Sequence, residues 1–266
     1  MGGFLTSPPL YRRMAGRLRM RGAGVIRVAP IWLPDWLLLP ATGYGRLIRR
    51  TGRAVVRTYV EGGCRPIMLI GHSAGGVLAR LALAPVPYHG NVAAAGDAVG
   101  ALVTLGSPHV VSGGTRRQRV ANDACDFLER VAPGAFLAPR TGYLTVASTA
   151  VVGGPRGLRD GRHALAGGTY AALLGEGHRL DPGDGVVPVA SAHLDGARQV
   201  TLGRVGHGQG AGIPWYGDGA GIDGWWDAAL EVWRAAVAAR SAGVRTEASR
   251  LRPSREAARP AGRGNA

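Results

Sequence analysis

The chain has no lysine; all 32 of its basic residues are arginine, set against only 17 acidic ones. An all-arginine basic set looks like codon bias in a GC-rich genome rather than a choice of contacts. The resulting formal charge of +15 invites a nucleic-acid reading, since arginine clusters neutralise phosphates. Its distribution argues against that. Residues 1–60 hold eleven Arg and a single acid, Asp35, and residues 240–266 hold seven Arg against Glu247 and Glu256, while the middle is nearly balanced. No zinc-ligand spacing, RNA-recognition motif or helix-turn-helix signature accompanies the charge, so no specific nucleic acid is expected as partner.

Cysteine is scarce as well. Cys64 and Cys125 are the only two and have no CxxC spacing, which reads as two buried thiols in a cytoplasmic protein, with one disulfide between them as the alternative. Long apolar runs are missing too. The first twenty-five residues are interrupted by Arg, so no signal peptide is expected. The most hydrophobic window, IWLPDWLLLP at 31–40, is about half a bilayer span and holds Asp35 and two prolines, which excludes a transmembrane helix.

What remains is 266 residues, 46% hydrophobic and 18% charged, enough for one domain with a full-sized core. Strand-length apolar runs alternate with helical stretches, the pattern of a parallel sheet with helices on both faces. Helices are expected over 9–20, 45–61, 74–84, 120–131 and 222–240. Strands are expected at 25–31 (VIRVAPI), 66–71 (PIMLIG), 98–105, 143–148 and 199–202. A single domain would span 1–240. Two long connections, 108–140 and 151–183, stand where a lid or pocket would be built. The Arg-rich stretch 241–266 has no periodicity and reads as a disordered tail.

The strongest chemical signal is LIGHSAGGVLARLAL at 69–83. It sets Gly71-His72-Ser73-Ala74-Gly75, a G-x-S-x-G, directly between an apolar strand and a helix. Such a turn strains the serine backbone and exposes its hydroxyl at a helix N-terminus, where the dipole favours a developing oxyanion. The alternative is a glycine-rich turn whose serine only caps the helix. A nucleophilic serine needs a base and an acid to orient it, in the chain order Ser, Asp, His for this kind of turn. Asp184, in the Asp-Gly turn of LDPGDGVVP, and His207, in a Gly-His-Gly loop before the last helix, suit these roles. Asp181 and His193 are the second choices. His72 lies within the turn and could support it or meet substrate. His109, after Gly106-Ser107-Pro108, could line the pocket, and His89, His163 and His178 read as solvated.

LIGHSAGG, VTLGSPH (103–109), DGVVP (184–188) and the late Gly206-His207, in this order and spacing, resemble lipase- and esterase-like serine hydrolases of the α/β-hydrolase superfamily over most of residues 2–240. The resemblance implies an α/β fold with a mostly parallel sheet flanked by helices. It implies hydrolysis of a small-molecule or lipid ester through an acyl-enzyme at Ser73, with His207 as base, Asp184 orienting it and no cofactor or metal. It also implies an oxyanion hole of two backbone N–H groups, Ala74 and one from a Gly-Gly-Phe segment. Phe4 is the choice and Leu5 the second, and Leu5, His72 and His109 are candidate substrate contacts. In such folds a buried strand runs into that segment, yet here only Met1 precedes Gly2. The expectation is therefore that this strand is missing because the chain starts late, and that the genome upstream of Met1 encodes, in frame, about six to ten residues rich in Val, Ile and Leu. Thioester cleavage or acyl transfer would use the same triad. A non-catalytic or N-terminally truncated protein acting as a binding module, and an Arg-driven nucleic-acid or membrane-surface binder, are the competing classes. Acyl length and oligomeric state are not legible.

Overall fold

A computed structural model describes residues 1–93, 95–112, 119–155, 157, 161–210 and 212–250. Its main sheet has four parallel strands in the order β1 (Ile67–His72), β2 (Val99–Leu105), β3 (Gly142–Ser148) and β6 (Arg198–Leu202). Parallel neighbours need crossover connections. Helix α5 (Ala74–Leu83) supplies the first and α6 (Arg119–Val131) the second. All seven residues of β2 are buried, as a strand covered on both faces requires.

One face carries α4 (Gly45–Glu61), α5 and α6 over a core that includes Trp36, Leu47, Leu78 and Leu128. The other carries α1 (Arg12–Met20) and α10 (Trp226–Arg250), where Trp225, Tyr216, Leu105 and Leu144 pack. Between α1 and α4 come two short helices, α2 (Leu33–Leu37) and α3 (Leu39–Thr42). The expected helix at 45–61 has those bounds, and the other strands fall within a residue or so of expectation.

Three expectations are corrected. Residues 25–31 form no strand; Ala29 and Ile31 are buried, but no strand pairs with this stretch. The long connection 151–183 holds β4 (Val151–Val152), α7 (Gly161–Leu174) and β5 (Pro182–Gly183), with β4 and β5 antiparallel. Helix α10 continues ten residues past 240, and residues 251–266 of the expected tail lie outside the described residues. Cys64 is exposed; Cys125 alone is buried, and both are free. The remaining helices are α8 (Val189–Ala192) and α9 (Gly219–Asp223).

Strand β1 is the edge of the main sheet. Along its open side, the Met1 amine donates to Ile70 O at 2.5 Å and the His72 N–H donates to Met1 O at 3.0 Å. Beyond Met1 lies a cavity of about 600 Å³, lined on one side by Ile67–Ile70 and on the other by Ile26 and Val28. Among the described residues no helix is long and apolar enough to cross a membrane.

Candidate active site

Ser73 occupies the sharp turn between β1 and α5 at φ 55°, ψ −133°, a left-handed conformation that a non-glycine residue adopts only under strain. The turn is tied down by a hydrogen bond from the Ser73 N–H to Leu105 O at 2.9 Å and another from Gly76 N–H to Ser73 O at 2.9 Å. The side chain thus emerges above the carboxyl end of β1, where ligands meet open α/β sheets.

His207 reaches this hydroxyl from the loop after β6. Its Nε2 lies 2.9 Å from Ser73 Oγ, and its Nδ1 lies 2.8 Å from Asp184 Oδ2. With Nδ1–H donating to the carboxylate, Nε2 carries a lone pair toward the serine proton. The loop is held by the His207 N–H, which donates to Asp184 O at 2.9 Å.

Asp184 is almost fully buried and every direction of its carboxylate is used. Oδ1 accepts the N–H groups of Val186 (3.0 Å) and Val187 (2.8 Å), while Oδ2 accepts His207 and the Tyr216 hydroxyl at 3.0 Å. Burial alone would push this carboxyl up. The His207 imidazole and its hydrogen bond, with the two backbone N–H groups, outweigh burial and hold Asp184 below the ordinary 3.8. Gly106, at the end of β2, makes room for the carboxylate: at φ +52° it would place a Cβ 2.4 Å from Asp184 Oδ2.

Gly3 lies against the serine, so close that a Cβ there would sit 2.6 Å from Ser73 Cβ. Its N–H donates to Tyr11 Oη at 2.9 Å, and its carbonyl accepts the Thr6 hydroxyl at 2.6 Å, closing a turn in which Leu5 has φ 57°. Phe4 and Leu5 follow, both about half exposed.

His72 is a bridge under the site. Its Nε2 is 2.7 Å from the carbonyl of His207, an acceptor, so that nitrogen carries the proton; Nδ1 then accepts from Tyr11 Oη at 2.9 Å. Burial, reinforced by the neighbouring His207, lowers its pKa to about 3, so the ring stays neutral. With both nitrogens engaged inside the protein, His72 is not the substrate contact expected from the sequence. His109 is also buried, with its ring Nε2 3.0 Å from Thr104 Oγ1, its ring Nδ1 unpartnered and its backbone N–H donating to Ser191 O.

The second-choice residues are occupied elsewhere. Asp181 pairs with His178 at 2.8 Å, and His193 lies between Thr145 and Thr201. The solvated reading suits His89, which is exposed and pairs with Asp123. Of the aromatic residues near the site, Trp36, Trp215 and Tyr216 are core, while Trp32 is exposed. Sequence reasoning missed the Tyr216 hydroxyl and the Tyr11–His72 bridge, because nothing local to either tyrosine signals a partner so distant in the chain. Among the described residues no group of three or more His, Cys, Asp or Glu side chains could hold a metal ion.

A family model described as PGAP1-like alpha/beta domain matches residues 48–130, from within α4 through the Ser73 turn to the end of α6. No curated protein matches the chain. The matched segment and the parallel sheet flanked by helices fit the α/β-hydrolase superfamily.

Proposed function

We propose that the protein is a serine hydrolase that cleaves carboxylic esters through an acyl-enzyme on Ser73. The observation that carries this reading is the unbroken chain Ser73 Oγ–His207 Nε2, His207 Nδ1–Asp184, at 2.9 and 2.8 Å on a strained strand-to-helix turn. Ser73 Oγ attacks the ester carbonyl carbon while its proton passes to His207 Nε2. The imidazolium so formed is stabilised by the Asp184 carboxylate.

Negative charge moves to the carbonyl oxygen, which the N–H groups of Phe4 and Ala74 would receive. Preorganised donors of this kind contribute about 2.7–4 kcal/mol each in related chemistry. Collapse of the tetrahedral intermediate breaks the bond to the alkoxy oxygen, which takes the proton from Nε2 and leaves as the alcohol. Water, deprotonated by the same nitrogen, attacks the acyl carbon; Ser73 regains its proton and the carboxylic acid departs. Exposed Phe4 and Leu5 beside the serine favour an apolar acyl group.

The test is a panel of p-nitrophenyl esters of increasing acyl length. The reading expects turnover that Ser73→Ala lowers by about 10⁴-fold or more. Turnover unchanged in Ser73→Ala would overturn it.

A further inference from the structure

The rim next to Ser73 is apolar where a surface would ordinarily be polar. Phe4, Leu5, Leu10, Trp32, Leu33 and Leu37 are each between 40% and 62% exposed. They come from two stretches held side by side: the Phe4 ring lies edge-on to Trp36 at 5.9 Å, and Ser7 Oγ accepts the Leu33 N–H at 3.1 Å. Within α2, Leu33 and Leu37 are four residues apart and share one face. Asp35 and Trp36 are buried and anchor the helix. Asp35 accepts the Trp32 N–H at 2.9 Å and is paired with Arg46 and Arg50, so the exposed leucines stand on a rigid base.

Within this part of the chain the exposed charge has one sign. Asp35, the single acid among residues 1–60, is buried and paired with arginine, while Arg12 and Arg13, just past Leu10 and Tyr11, are exposed. Exposed apolar side chains with cations close by in the chain match a surface that is apolar in depth and anionic at its face. A nucleic acid would use the arginines and leave the leucines in water.

We propose that the 4–10 segment and α2 dock on the surface of an anionic lipid bilayer. Leu33, Leu37, Trp32 and Leu10 enter the boundary of headgroups and acyl chains, and Arg12 and Arg13 meet lipid phosphates. Docking in this way presents Ser73 to the bilayer, a consequence that rests on the hydrolase reading; the docking itself does not.

The experiment is co-sedimentation of the full chain with vesicles of phosphatidylglycerol and phosphatidylcholine, and with vesicles of phosphatidylcholine alone. Wild type is compared with Leu33→Ser/Leu37→Ser and Arg12→Glu/Arg13→Glu, each checked for an unchanged melting temperature. Wild type should bind the anionic vesicles, and each double variant should bind at least tenfold more weakly. Fluorophosphonate labelling in vesicle-free buffer should be the same in all three. Absence of wild-type binding would overturn the proposal. So would vesicle binding indifferent to the leucines, or binding to duplex DNA equal to that to vesicles. A dimer in solution that the leucine variant dissolves would assign the face to a second copy and equally overturn it. Vesicle binding without any labelling would sink the hydrolase reading and leave the docking face standing.

Discussion

Strand β1 is held in contrasting ways on its two sides. Toward β2 the ladder runs from Ile67 to His72, and a further hydrogen bond from Ser73 to Leu105 continues it into the turn. On the open side Met1 makes the only strand-like contact among the described residues, at the carboxyl end, with Ile70 and His72. The amino-terminal part of β1 faces the 600 Å³ cavity. Even the Met1 amine shows the difference: buried and stripped of water, it has its pKa drawn down to about 5. The strand is therefore fastened on both sides where it carries Ser73 and on one side where it does not. The site's geometry depends on local fastenings more than on a fully packed sheet.

The comparison breaks most sharply on the packed side. Leu105, fully buried between the sheet and α10, should cost about 2–5 kcal/mol of stability when replaced by Ala, read from urea unfolding. Next is the site itself. Tyr216→Phe removes one of the two donors to Asp184 Oδ2, and at about 1–3 kcal/mol for a charged hydrogen bond it should lower kcat/KM by roughly ten- to a hundred-fold. An unchanged kcat/KM would show that Tyr216 only packs.

Acid sensitivity is the third expectation. The His72 ring is neutral in the fold down to about pH 3, against an ordinary value of 6.5. As pH falls through 6.5 the unfolded chain gains a proton that the folded chain refuses, so stability is lost with falling pH. Melting temperatures between pH 8 and pH 4 should decline, and His72→Gln should flatten that decline. The smallest effect belongs to the loose side. Ala54→Leu, on α4 at the cavity wall, should gain about 0.5–2 kcal/mol by filling space. A loss there would mean that the cavity is closed in solution.

The same contrast governs what could be read in advance. The turn at Ser73 was legible because strand, glycines, serine and helix are adjacent in sequence, so local chemistry specifies it. Asp184 and His207 could be chosen from chain order and turn residues, and the structure brings both to Ser73. Residues 25–31 mislead for a physical reason: VIRVAPI has the composition of a strand, but a strand exists only where a neighbour completes its hydrogen bonds. Here the cavity lies between it and β1. Helix α7 was obscured by the glycines in its AGG stretch, which weaken local helical preference. The Tyr216 contact joins residues 32 apart and the Tyr11–His72 contact residues 61 apart, beyond the reach of any local pattern.

The most direct measurement is mass spectrometry of the protein after reaction with a fluorophosphonate, wild type beside Ser73→Ala and His207→Ala. The account predicts one adduct per wild-type chain, located on Ser73, and none in either variant. A folded wild type that remains unlabelled, or an adduct on another serine that persists in Ser73→Ala, would contradict it.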